Sequence, residues 1–122
     1  MFFRKSLCLV FMAITAPALA APTTDAFHSI VNVDLMPSDQ AEGEKLLVNY
    51  RDQLRNDPNV QSIALIQQAG DASNHFILTE TFASETAYRR FIESEAVRRF
   101  RTALYPHLGS PWDERLGSEQ LR

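Results

Sequence analysis

The sequence has little cysteine and glycine, and it lacks the motifs of several large enzyme classes. Its one cysteine, Cys8, lies close to the first residue, and the chain has only four glycines. There is no glycine-rich phosphate loop, no G-x-G-x-x-G, no G-x-S-x-G nucleophile elbow and no H-E-x-x-H. These absences argue against nucleotide chemistry and serine hydrolysis. Because no cysteine follows Cys8, the rest of the chain can form no disulfide, no catalytic thiolate and no cysteine-based metal site.

Histidine is scarce as well. His28, His75 and His107 are scattered over two predicted strands and the end of a predicted helix, without the spacing of a metal site. His28 and His75 would approach one another only if their strands were neighbours, and isolated histidines at such positions are usually surface or satisfied residues. We therefore predict no metal ligands.

The first 20 residues have the pattern of a cleavable export signal. Arg4 and Lys5 give a positive start, residues 7–16 are almost entirely apolar, and residues 18–20 are the small-residue ending that signal peptidase requires. The alternative is an uncleaved anchor, but a membrane-spanning helix needs about 20 apolar residues. We expect cleavage after Ala20, a periplasmic or secreted protein, and no membrane association after cleavage.

The chain that would remain is acidic. Without Arg4 and Lys5, 10 basic residues face 15 acidic residues, a net charge of −5. This balance argues against nucleic acid and anionic membranes as partners. Residues 21–25 should form a flexible lead, and residues 26–122 should form one domain. A chain of this size has a modest core, which makes burial by self-association favourable.

Hydrophobic periodicity predicts an α+β domain in the order β-α-β-β-α-α-β. Strands are predicted over residues 27–35, 60–67, 75–82 and, more weakly, 112–121. One helix is predicted from the turn at residues 37–39 to about Asn56, and Ser84 and Ser94 are predicted to cap two more. This order is the ferredoxin-like split βαβ arrangement with an antiparallel sheet. Because helices cover only one sheet face, two copies packed sheet against sheet are expected, as a homodimer.

The stretch NHFILTETFASETAYRRFIES, residues 74–94, contains one carboxylate in an otherwise apolar and threonine-lined strand. Alternation puts Phe76, Leu78, Glu80 and Phe82 on one face. The arginines that follow are interleaved with glutamates at favourable i,i+4 spacing, which indicates a solvated helix face. The alternative is that one of these arginines binds a carboxylate of the substrate.

Three segments resemble antibiotic biosynthesis monooxygenase domains: FILTETFASETAYRRFIESEAVRRF, the DPNV turn and the loop LGSPWDERL. The resemblance spans residues 26–119 and implies a dimeric α/β barrel. Members of that family include cofactor-independent oxygenases of quinols or anthrones, and haem-degrading relatives. Phe91 stands where a helix histidine is common, Phe82 where many members have tryptophan, and Leu78 where oxygenases have asparagine. These departures disfavour haem degradation.

The resemblance implies a cofactor-independent monooxygenase that oxidises a small quinol or polyphenol-type aromatic substrate with O2 and needs no cofactor. Tyr88 matches a tyrosine implicated in substrate binding. We predict Glu80 and Tyr88 as the catalytic residues. The residues predicted to bind substrate are Asn32, Phe76, Leu78, Phe82, Phe91 and Phe100.

Two alternatives remain open at this point. Glu80 is either a general base whose proton affinity is raised by partial desolvation, or a structural residue that pairs with an arginine or with the partner subunit. The chain is correspondingly either an exported oxygenase or a non-catalytic dimeric module for small-ligand binding or stress response.

Overall fold

A computed structural model describes residues 26–120. The elements follow the predicted order β-α-β-β-α-α-β, with short 3₁₀ turns at Pro37–Asp39 and Tyr105–His107. They are β1 (Phe27–Asp34), α1 (Gln40–Leu54), β2 (Val60–Gln67), β3 (His75–Phe82), α2 (Glu85–Ile92), α3 (Glu95–Leu104) and β4 (Asp113–Ser118). The predicted export signal and flexible lead, residues 1–25, lie outside the described residues, as do residues 121–122 of the predicted domain.

The four strands form one antiparallel sheet in the order β2-β3-β1-β4. This strand order, with three helices, confirms the predicted ferredoxin-like α+β fold. The register puts Ser29 of β1 opposite Glu80 of β3, and Val31 of β1 opposite Glu114 of β4. Residues that pair directly have their side chains on the same face. Strand β1 therefore lies between the two strands that carry Glu80 and Glu114.

One face of the sheet and the apolar sides of the helices form the core. The alternation of β1 and β3 is visible in their burial, since every second residue from Phe27 to Val33 and from Phe76 to Phe82 is buried. Among the described residues, Ser29 and Glu80 are the buried residues with polar or charged side chains. Both lie on the helix-facing side of the sheet, among apolar neighbours.

The helix boundaries follow the local sequence signals. The hydroxyls of Ser84 and Ser94 accept hydrogen bonds from the backbone N–H groups of Ala87 and Val97, which confirms both predicted caps. Helix α1 ends at Leu54, two residues before the predicted end. Within the described residues, no helix is long and apolar enough to cross a membrane.

A glycine lets helix α1 pack closely against the end of β1. A Cβ atom at Gly43 would lie 2.6 Å from Cδ2 of Leu35, and Leu35 is fully buried. Real Cβ contacts are not this short, so any larger side chain at position 43 would have to displace the Leu35 methyl groups. The close contact fixes the distance of α1 from the sheet.

The other sheet face carries the alternate residues of the strands, and several are apolar and accessible. Ile30 of β1 is 45% exposed and Ile66 of β2 is 48% exposed. Ile77 and Thr79 of β3 lie between them and are half-buried. We call this surface the open sheet face. It is the surface that the sequence predicted a second copy would cover.

Candidate active site

Glu80 projects from β3 into the helix-facing core. Glu80 is only 4% exposed, and Leu78 and Phe82, its neighbours on the same strand face, are fully buried. Burial and, to a smaller extent, the negative charge of Glu114 raise the pKa of the Glu80 carboxyl to about 7, although the charge of Arg101 opposes both. Among the described residues, the Glu80 carboxyl makes no hydrogen bond and no ion pair. It is a buried acid without a fixed partner.

Glu114 of β4 is the hydrogen-bonding centre of the same region. Its Oε1 accepts hydrogen bonds from the hydroxyls of Tyr88 at 2.6 Å and Ser29 at 2.7 Å. Its Oε2 accepts from Nη2 of Arg101 at 3.2 Å and from Nε1 of Trp112 at 3.4 Å. The four donors come from β1, α2, α3 and the segment before β4. They hold the carboxylate in one orientation.

The two carboxyls therefore have opposite properties. Burial acts to raise the pKa of Glu114, but the hydrogen bonds from Tyr88 and Ser29, the charge of Arg101 and the hydrogen bond from Trp112 outweigh it, and the pKa is lowered. Glu80 is also buried, but within residues 26–120 no hydrogen-bond donor stabilises its charged form. Pairs of titratable groups whose environments separate their pKa values are typical of acid–base chemistry. Glu114 is suited to remain an anion, whereas Glu80 is suited to exchange a proton.

Tyr88 connects the aromatic core to this pair. Its ring packs against Phe27 at 5.3 Å and Phe82 at 5.2 Å between ring centroids. Burial, followed by the hydrogen bond to Glu114, raises the pKa of the Tyr88 hydroxyl well above its ordinary value. The Tyr88 hydroxyl has one proton, and it donates that proton in a hydrogen bond to Glu114. Towards any other group the Tyr88 oxygen can therefore only accept a hydrogen bond.

Arg101 differs from the other arginines of the helical region. Arg89 and Arg99 form the predicted i,i+4 pairs with Glu85 at 3.2 Å and Glu95 at 2.7 Å, on exposed helix faces. The guanidinium of Arg101 turns inward instead, to Glu114, and lies 5.0 Å from the centre of the Trp112 ring. Of the two interpretations of these arginines, the solvated face is confirmed for the exposed pairs, whereas the partly exposed Arg101 belongs to the cluster around Glu114.

A cavity of about 450 Å³ opens between α1 and α3. Its lining includes Tyr50 and Phe100, whose rings stack at 3.7 Å between centroids and within 2° of parallel. Burial and the charge of Glu80 raise the pKa of Tyr50, so Tyr50 lies within electrostatic range of Glu80. Tyr50 thus both lines the cavity and interacts electrostatically with Glu80. Glu80 itself is not among the residues that line this cavity.

Most of the predicted site residues lie on one side of the sheet. The residues that share the helix-facing side with Glu80 and Tyr88 are Phe76, Leu78, Phe82, Phe91 and Phe100, and all are buried in the core. Asn32 is exposed on the opposite face, where it lines a separate cavity of about 310 Å³. The structure therefore brings Asn32 close to neither Glu80 nor Tyr88.

The histidines do not form a metal site within residues 26–120. His28 pairs with Thr81 at one end of β1 and β3, and His75 pairs with Asp34 at the other end. Their strands are neighbours, but antiparallel pairing separates the two side chains. No group of three histidine, aspartate or glutamate residues in the described part of the chain is arranged to hold a metal ion.

The sequence did not point to Glu114, Ser29, Tyr50 or the inward position of Arg101. The one available signal was Ser29, a hydroxyl on a strand face that otherwise carries Phe27, Val31 and Val33. A buried hydroxyl needs a hydrogen-bond partner, so its presence indicates a polar group nearby. Nothing local in the segment DERLGS of β4 marks Glu114 as that partner.

Solved structures share this fold at low sequence identity. Rv0793 from Mycobacterium tuberculosis is 16% identical, with a TM-score of 0.73, and the match covers 80% of this chain and 98% of that one. A structure of SnoaB, a cofactor-independent oxygenase from Streptomyces nogalater, is 15% identical with a TM-score of 0.68, over 80% and 96% of the two chains. A conserved protein from Methanosarcina mazei Go1 is 11% identical with a TM-score of 0.73, over 80% and 95%.

The family assignment rests on sequence as well as fold. No curated protein matches this chain significantly in sequence. The model of the antibiotic biosynthesis monooxygenase family, by contrast, matches residues 26–103, which run from β1 to the last turn of α3 and include both Glu80 and Tyr88. The chain therefore belongs to the antibiotic biosynthesis monooxygenase family.

Proposed function

We propose that this protein is an exported, homodimeric, cofactor-independent monooxygenase that oxidises a quinol or polyphenol-type aromatic with O2. The observation that carries the proposal is Glu80, a buried carboxyl without a fixed partner whose pKa is raised to about 7. A general base is most effective when its pKa lies near the working pH. An unpaired buried acid weakens a fold, and such groups concentrate at functional sites, where they have a role that offsets this cost.

The reaction requires only a base and a dry, oriented site when the substrate is electron-rich. The substrate hydroxyl gives its proton to the Glu80 carboxylate, and the resulting anion passes one electron to O2. Recombination of the two radicals forms a carbon–oxygen bond, and the peroxide then loses water. For a hydroquinone, the balance is one quinol plus one O2 to one hydroxyquinone plus one water. Glu80 returns its proton to the departing oxygen.

The surroundings of Glu80 suit this chemistry. The apolar side chains of Leu78, Phe82 and Phe91 exclude water, which strengthens electrostatic interactions inside the site. The Tyr88 oxygen accepts a hydrogen bond from a second hydroxyl of the substrate, because the Tyr88 O–H is already directed to Glu114. The stacked Tyr50 and Phe100 line the cavity between α1 and α3 and offer a flat aromatic surface for the substrate.

The comparisons support the proposal at the level of the family. The family is named for antibiotic biosynthesis monooxygenases, and SnoaB is described as a cofactor-independent oxygenase. Fold similarity does not determine activity, which depends on the site residues of this chain. The proposed export depends on the basic start and the apolar run of residues 1–20. The proposed homodimer depends on the exposed Ile30 and Ile66 of the open sheet face.

One observation favours a second candidate, a non-catalytic dimeric ligand-binding module. The cavity between α1 and α3 is lined by Tyr50 and Phe100 but not by Glu80. An aromatic ligand held in that cavity would be bound without contacting the acid. The two functions differ in a simple observable, because only the oxygenase consumes O2 when ligand is present.

Oxygen uptake by the purified protein tests the proposal. A panel of hydroquinones and naphthohydroquinones is used, and autoxidation without protein is subtracted. We expect protein-dependent uptake that Glu80→Gln abolishes and Tyr88→Phe weakens, whereas the exposed Glu95→Gln has no effect. Absence of uptake across the panel, from folded protein, would favour the ligand-binding module. Full activity of a folded Glu80→Gln protein would eliminate the base role.

A further inference from the structure

In the described part of the chain Glu80 has no ion pair, although the partly exposed Arg101 lies within electrostatic range of it. The charge of Arg101 acts on Glu80, yet its guanidinium is bound to Oε2 of Glu114 at 3.2 Å. Glu80 and Glu114 extend from the strands on either side of β1, onto the same sheet face. Arg101 therefore has two carboxyls within electrostatic range and is paired with one of them.

The geometry of Glu114 explains this choice. Arg101 and Trp112 approach Oε2, while Ser29 and Tyr88 approach Oε1, so both oxygens of Glu114 have donors. Such a carboxylate cannot turn away without leaving several buried donors unpaired. The Trp112 ring, 5.0 Å from the Arg101 guanidinium, also supports the cation on this side.

We propose that Glu114 is a positioning residue for Glu80: by holding Arg101, it keeps Glu80 unpaired and therefore able to accept a proton. The inference rests on the proposed function, in which Glu80 is the base. Glu114 touches neither substrate nor oxygen, and it acts on the reaction through the charge environment of Glu80. It also gives a reason for the polar Ser29 in an apolar strand face, because Ser29 is one of the donors that fix Glu114.

The charged and titratable groups that face Glu80 make the sign of the effect clear. They are Glu114 from β4, Arg101 from α3 and Tyr50 from α1, and Tyr88 of α2 adjoins them through its hydrogen bond to Glu114. If Glu114 lost its charge, the repulsion on Glu80 would disappear and the Arg101 cation would be uncompensated. Both changes favour the ionised form of Glu80 and an ion pair with Arg101. The base would then be weaker and no longer free.

The titration of Glu80 itself tests the inference without depending on turnover. The full-length protein as isolated is labelled with ¹³C-glutamate, and the Glu80 carboxyl signal is identified by its loss in Glu80→Gln. We expect Glu114→Gln to lower the titration midpoint of Glu80 by at least about one pH unit, a tenfold loss of proton affinity. The pH at which oxygen uptake reaches half its maximum should fall with it.

Two further variants separate this role from a merely structural one. In Glu114→Gln/Arg101→Gln, neither charge acts on Glu80, so the midpoint should return towards the wild-type value. Arg101→Gln alone should raise the midpoint, and it tests the same relationship if Glu114→Gln does not fold. Glu95→Gln, which removes an exposed acid of α3, should leave the midpoint unchanged.

Each result decides something. An unchanged or raised midpoint in Glu114→Gln, or a double variant as low as the single one, would overturn the inference. Oxygen uptake that is lost in Glu80→Gln, yet keeps its pH profile in Glu114→Gln, would overturn the positioning role of Glu114 and leave the proposed function standing. The expected midpoints without uptake of oxygen from any quinol would support the role of Glu114 in setting the protonation of Glu80, and would refute the oxygenase.

Discussion

Tyr88 donates its hydroxyl proton to Oε1 of Glu114 across 2.6 Å, although one residue belongs to α2 and the other to β4. The bond joins the helical layer to the end strand of the sheet. It also determines the chemistry of Tyr88, which can offer only lone pairs to a substrate.

Replacing Tyr88 by phenylalanine tests both consequences. The ring contacts with Phe27 and Phe82 are retained, but a buried hydrogen bond to a charged acceptor is lost. We expect the free energy of unfolding to fall by about 1.5 to 3 kcal/mol, measured by urea denaturation. An unchanged urea midpoint would show that Tyr88 and Glu114 are not bonded in solution.

Stability should depend on pH through Glu80. Its pKa of about 7 in the folded chain lies above the value of about 4.3 for an unfolded glutamate, so the folded state binds the proton more tightly. The resulting stabilisation, on the order of 3 kcal/mol, is complete below about pH 4 and is lost as the pH rises through 7.

The measurement compares the unfolding free energies of wild type and Glu80→Gln from pH 4 to 8. The unfolding free energy of wild type minus that of Glu80→Gln should fall by about 3 kcal/mol over this range, because glutamine stays neutral whereas Glu80 ionises, and the histidines, present in both proteins, cancel. Glu114 acts in a separate window: because its pKa is lowered, its contribution is lost only as the pH falls below the ordinary glutamate range. A difference independent of pH would contradict the raised pKa of Glu80.

Gly43→Ala should destabilise the protein, although alanine favours helices. Helix propensity alone predicts a gain of up to about 1 kcal/mol. The new Cβ would instead meet the buried methyl groups of Leu35, at 2.6 and 2.8 Å, and overpacking typically costs about 1 to 3 kcal/mol. Thermal denaturation measures the net effect. Gly117→Ala, which meets nothing within 4 Å, is the matched control and should change little.

The proposed dimer predicts that the open sheet face tolerates no charge. We expect Ile66→Lys to convert a dimer into a monomer in sedimentation velocity, because a buried unpaired ammonium is costly. Tyr105→Lys changes another exposed apolar residue, at 76% exposure in the 3₁₀ turn after α3, and should remain dimeric. A monomeric wild type, or a dimeric Ile66→Lys, would exclude this interface.

Local signals in the sequence were sufficient for the fold. Ser84 and Ser94 cap their helices as predicted, and alternation correctly placed Glu80 with Phe76, Leu78 and Phe82. These features depend on neighbours within a few residues along the chain, or on the period of a strand. Such features can therefore be predicted from the local sequence alone.

The centre of the candidate site could not be predicted in the same way. Glu114 lies in a six-residue strand that is mostly polar and exposed, so its inward position depends on pairing with β1, more than 80 residues earlier. The turn of Arg101 away from the solvated helix face depends on that carboxylate. Asn32 stands on the other sheet face, a position that the alternation of β1 already indicated.

The donors to Glu114 are collected from positions 29, 88, 101 and 112 of the chain. A polypeptide that has not yet added β4 beside β1 has the aromatic walls of the site but leaves Arg101 free to neutralise Glu80. Under the proposed role of Glu114, the proton affinity of Glu80 therefore depends on β4 being in place, and a chain without β4 would lack the base that the proposed oxygenase needs.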